Sequence, residues 1–133
     1  MNGNWLDTFR GIIPRQTYTA HLSAGEEKGL IVTLSGDLYE VTINFGAVQA
    51  VQMLDEGVLL NGEDTEQLKT LRDQDFPSTL YEIENGNFGH LIETQMGSDL
   101  YHALGCRQYN IVTLNYVIFV VSLWEPQITV TQK

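Results

Sequence analysis

Between Leu38 and Phe45 (LYEVTINF) the chain alternates. Tyr39, Val41, Ile43 and Phe45 share one side of a two-residue period, with Glu40, Thr42 and Asn44 on the other. That pattern marks a strand with one wet face. Thr17–Leu22 (TYTAHL) and Leu30–Ser35 (LIVTLS) also read as strands, separated by a polar turn at Ser23–Gly29. Gly36-Asp37 is a tight-hairpin signal of the glycine-first type. Ala47–Leu54 (AVQAVQML) leans towards strand on its length and valine content. Ahead of these, Trp5, Leu6 and Phe9 have the spacing of one helical turn, ended by Pro14. After Asp55 the pattern changes. Asp64 or Thr65 is placed to cap a helix through Arg72, with Glu66 in its positive first turn and Lys69 and Arg72 towards its negative end. A second helical piece is expected over Thr79–Glu84 and a third over Asn87–Gln95, interrupted by an Asn85-Gly86 turn. Ile128–Thr131 adds an edge strand, since Pro126 bars a central position.

One stretch stands apart. From Gln108 through Trp124 (QYNIVTLNYVIFVVSLW) there is no charged residue. A membrane helix needs about 20 mostly apolar residues to cross a hydrocarbon core about 30 Å thick. This run is shorter, contains Asn110, Thr113 and Asn115, and lacks a basic flank. Its Ile, Val, Tyr and Phe content favours a buried hairpin instead, pairing Tyr109–Leu114 with Val117–Leu123 around an Asn115-Tyr116 turn. Ile111, Val117, Phe119 and Val121 are the expected core positions. Strands, then helices, then strands predict a single α+β domain spanning 1–133, an antiparallel sheet with a few short helices.

Charge then narrows the function. Seventeen acids face seven bases, a formal net charge of -10, with a pI near 4.5. Such a field repels nucleic acid and anionic membranes and speeds encounter with basic partners. The acids are concentrated in one segment. Asp55, Glu56, Glu63, Asp64, Glu66, Asp73, Asp75, Glu82 and Glu84 stand against only Lys69 and Arg72, so residues 55–84 carry -7 of the -10. The single cysteine, Cys106, has no internal disulfide partner and is expected to be buried. MNGNWLDTFRGIIPR lacks the apolar core of a secretory signal, so the expected location is cytoplasmic.

Catalytic signatures are thin. His21, His90 and His102 are scattered, and no HExxH, CxxC, GxSxG, P-loop or GxGxxG occurs. His102 and Cys106 stand at i, i+4, the spacing of a thiol–imidazole pair, but Gly105 intervenes. Glu82 and Glu84 flank Ile83 and would share a side only on a strand, without an apolar pocket to separate their pKa values. Tyr18, Tyr39, Tyr81, Tyr101, Tyr109 and Tyr116 lack the interleaved bases of a nucleic-acid platform and read as half-buried sheet residues with wet hydroxyls. The expectation is a protein that is not an enzyme and holds no cofactor or metal.

Several pieces together carry a resemblance. They are Trp5-x3-Phe9-x4-Pro14, TINFG with DEG after it, STLYEIENGNF, and YNIVTLNYVIFVVSLWEPQI. The chain resembles small bacterial immunity proteins of contact-dependent inhibition and related polymorphic toxin systems. Gly86 stands where that pattern expects Ser, and Gln108 where it expects His. The resemblance implies a cognate toxin domain as partner. The residues agree in sign, because a nuclease toxin carries a basic cleft that dense carboxylates fit. The partner-binding candidates are therefore the nine acids of residues 55–84. Two other readings stand beside this one: an acidic assembly protein without a toxin, and a small hydrolase using His102 or His90.

Overall fold

The computed structural model describes residues 3–57 and 66–133. Its strands are β1 (Asn4–Leu6), β2 (Thr19–Gly25), β3 (Gly29–Ser35), β4 (Tyr39–Gly46), β5 (Ala50–Asp55), β6 (Leu80–Glu84), β7 (Arg107–Val112), β8 (Tyr116–Ser122) and β9 (Gln127–Gln132). The helices are α1 (Glu66–Asp73), α2 (Asn87–Met96) and α3 (Ser98–Ala103). The protein is α+β, with two antiparallel sheets where one was expected. One has the order β1-β6-β7-β8-β5, the other β2-β3-β4-β9.

Three layers follow from side-chain alternation. The apolar face of β4 (Val41, Ile43, Phe45) packs with Leu30, Val32 and Leu34 of β3 against Leu80, Tyr109, Ile111, Ile118 and Val120 of the other sheet. The opposite face of the five-stranded sheet is covered by helices. Leu68 of α1 meets Trp5, Tyr81, Ile83, Val117 and Phe119, while Ile92 and Met96 of α2 meet Tyr101, Cys106 and Val121. This explains the uncharged run: β7 and β8 lie in the middle layer, buried on both faces. Ile111, Val117 and Val121 are 0% exposed and Phe119 8%. Among the described residues no helix is long and apolar enough to cross a membrane.

Several local expectations are corrected. Trp5 lies on β1, not a helix, because its backbone pairs opposite Ile83 at the sheet edge. Thr79–Glu84 is not helical either: β6 is held between β1 and β7, with Leu80 opposite Ile111. The β7–β8 turn sits one residue early. Thr113 N–H donates to the Tyr116 carbonyl at 2.9 Å, leaving Leu114-Asn115 as the loop, and Asn115 is not among the left-handed residues. The β3–β4 hairpin shifts the other way, one residue late, Gly36 N–H donating to the Tyr39 carbonyl at 3.0 Å and leaving Asp37-Leu38 as the loop. β2 runs on to Gly25, shortening the polar turn. Tyr18, Tyr81 and Tyr109 are fully buried and Tyr101 nearly so, instead of half-buried. The cap expected at Asp64 or Thr65 lies outside the described residues.

Candidate functional site

β7 separates the two regions where acids gather. Arg107 to Val112 covers about 17 Å at roughly 3.3 Å per strand residue. At the Val112 end, Asp55 closes β5 opposite Tyr116, Glu56 follows it, and Asp73 and Asp75 end α1 and begin the loop to β6. At the Arg107 end stand Glu82 and Glu84, alternate residues of β6 and so on one side of the sheet. Glu82 lies 3.8 Å from the Arg107 guanidinium. Glu66 occupies the first turn of α1, where the helix dipole favours it. Glu63 and Asp64 lie outside the described residues. Contiguous in sequence, the acids are divided in space.

The Val112 end holds a cleft of about 410 Å³. It is lined by Arg15 to Tyr18, by Asp75, Phe76, Ser78 and Thr79, by Val112, Thr113 and Leu114, and by Glu56. The chain makes a tight reversal in which Asp75 (φ 55) and Phe76 (φ 47) are left-handed. That conformation is costly for an aromatic residue. It is held by Asp75 N–H to the Arg72 carbonyl at 2.9 Å and Phe76 N–H to the Leu71 carbonyl at 2.8 Å. Arg15 donates to the Gln74 carbonyl at 2.8 Å, tying the two segments together. Ser78 Oγ donates to the Asp7 carboxylate at 2.7 Å, and Thr113 Oγ1 to the Tyr116 carbonyl at 3.0 Å.

A second cleft, about 250 Å³, opens at the Arg107 end between β6 and the α2–α3 pair. Half-buried Glu93 is its centre. Ser98 Oγ donates to it at 2.7 Å, His102 Nε2 lies 3.2 Å away and His90 Nδ1 3.4 Å away. The Ser98 hydrogen bond is the leading cause that holds the Glu93 carboxyl below its ordinary pKa; desolvation opposes it, and His102 and then His90 add to the lowering. His102 therefore addresses Glu93 and not Cys106. α3 ends at Ala103 and Gly105 is left-handed (φ 74), so the i, i+4 relation never forms on a helix. Burial pushes the Cys106 thiol up, the reverse of nucleophile activation. Among the described residues no three His, Cys, Asp or Glu side chains are grouped to share a metal ion.

Comparison with protein-family models, with curated proteins and with solved structures finds no match.

The structural roles hardest to foresee belong to two glutamines. Gln67 accepts from Trp5 N–H and donates to the Trp5 carbonyl, both at 2.9 Å. It occupies the open edge of β1 as a neighbouring strand would. Gln108 reaches from β7 to the start of α2, accepting from Gly89 N–H at 2.8 Å and donating to Asn110 Oδ1 at 2.9 Å. Their partners lie 62 and 19 residues away in sequence, so no local pattern announces either role.

Proposed function

We propose that the protein is an immunity protein that binds a cognate basic toxin domain and neutralises it by stoichiometric occlusion in the cytoplasm. The observation that carries this reading is unneutralised acid. Among the described residues, Asp55, Glu56, Glu66, Asp73, Asp75 and Glu84 are in no ion pair with another described side chain, while Glu82 pairs with Arg107. Acids held without local cations repel one another and weaken the fold, and a cationic partner offsets that repulsion. The resemblance in STLYEIENGNF and YNIVTLNYVIFVVSLWEPQI supplies the class of partner. The test is to express the product of the gene adjacent to the one for this chain, with and without the protein. Survival restored by co-expression, with a one-to-one complex on purification, is the expected outcome. Equal killing in both cultures would rule the reading out.

A further inference from the structure

We infer that β9 pairs edge to edge with β9 of a second copy of this chain, joining two four-stranded sheets into one. β9 is an outer strand of its sheet, with β4 as its neighbour. Its register with β4 runs from Gln127 to Gln132 without a shift, and every residue but Ile128 is exposed. Edge strands are normally blunted by charge, proline, a bulge or a cover. Gln127–Gln132 (QITVTQ) contains no charged residue and no proline, in a chain whose net charge is -10. The other edges are protected. β1 is closed by the Gln67 amide, while β2 and β5 run into Glu26-Glu27 and Asp55-Glu56.

The direction of the backbone groups fixes the pairing. Lys133 N–H donates to the Leu38 carbonyl at 2.9 Å. Backbone groups alternate sides along a strand, so Thr131, Thr129 and Gln127 also turn theirs to β4. Ile128, Val130 and Gln132 turn theirs to the open edge. An antiparallel two-fold through Val130 sets it opposite Val130 of the second copy, and Ile128 opposite Gln132 of the second copy. All three outward positions are then paired. The side chains agree, because TVT reads alike in both directions. Thr129 meets Thr131 of the second copy, a favourable cross-strand pair. Val130 points to the core side, level with Val41, yet is 36% exposed. Contact with its own copy covers it. A patch that matches itself is what a two-fold dimer requires.

Charge complementarity favours the same occupant. In this register Lys133 of the second copy stands opposite Gln127, on the outer side of the sheet. A pocket of about 350 Å³ opens there, and Trp124, Glu125 and Gln127 line it. Trp124 is 56% exposed. The pocket thus offers an ammonium both a carboxylate and an indole face. Lys133 is free to reach it, since its present contact is an exposed hydrogen bond to Ser35 Oγ at 3.0 Å. The two-fold makes this contact twice. A strand-edge interface is small, so the dimer is weak and concentration-dependent.

The test is sedimentation of the full-length protein over a concentration series in ~0.5 M salt, which screens the repulsion between two acidic copies. Wild type should pass from monomer to dimer as concentration rises. Val130→Lys and Val130→Glu each set like charges face to face and should weaken the dimer ~10-fold or more. An equimolar mixture of the two variants should dimerise again, a recovery that misfolded chains would not give. Lys133→Glu should also weaken the dimer, and adding Glu125→Lys to the same chain should restore it. Wild type that stays monomeric throughout, or a dimer that Val130→Lys leaves intact, would overturn the inference. So would a variant mixture that stays monomeric, or a charge swap that restores nothing.

Discussion

At the scale of single residues, the contact between Gly86 and Gln108 is the most telling. Gly86 is the N-cap of α2 and offers no side chain to its orphan amides. Gln108 supplies the missing acceptor from β7, bonding Gly89 N–H at 2.8 Å, the third residue of the helix. A Cβ at Gly86 would run into the Gln108 amide, so the glycine makes room for the borrowed cap. Gln108→Ala should cost about 1–3 kcal/mol, because Gly89 N–H and Asn110 lose a buried partner. Gly86→Ser should destabilise the wild type but partly rescue Gln108→Ala, since serine then caps in place. A urea double-mutant cycle with strictly additive effects would contradict the pairing. The Asn85-Gly86 turn and the Asn87 start of the helix are legible in sequence, because turn and cap chemistry is local. The cap acceptor is not, because register between β7 and α2 decides it.

At the scale of elements, the uncharged hairpin is the part that sequence describes best. Its composition calls for burial on both faces, and the second sheet on one side with α1 to α3 on the other provide that. Phe119→Ala should cost ~3–5 kcal/mol, since the ring packs with Phe88 at 6.1 Å between centroids and leaves a cavity when removed. An unchanged denaturation midpoint would place the ring outside the core. Short elements misled instead. Trp5–Phe9 and Thr79–Glu84 carry weak helical spacing, yet pairing with β6 and β7 overrides it. The α2–α3 pair adds a pH dependence. Glu93 is held below its ordinary pKa by Ser98 first and then by His102 and His90. A depressed folded pKa stabilises above the unfolded carboxylate value and is lost as pH falls through the folded one. Acid should therefore loosen α2 from α3 in that window, seen as faster amide exchange at Tyr101. Glu93→Gln should flatten that response, and an identical response in the variant would remove Glu93 as its cause.

At the scale of the whole molecule, the core and the charge each set a limit. Tyr18, Tyr81, Tyr101 and Tyr109 have phenols raised above 10.0, burial being the leading cause in all four. A raised folded pKa stabilises fully below the unfolded value and is lost as pH climbs through the folded one. Stability should thus fall above about pH 10 together with delayed phenolate absorbance. Phenolates appearing at the rate of free tyrosine in the still-folded protein would contradict the burial of the four rings. The acidic surface works at longer range. Sequence reveals its size, but only the path of β7 reveals that it is split between two ends. The most direct measurement is the association of the protein with the toxin domain proposed as its partner, across a salt series. The account predicts a one-to-one complex whose association slows steeply as salt rises while dissociation changes little. An association rate indifferent to salt, or no complex even at low ionic strength, would contradict it.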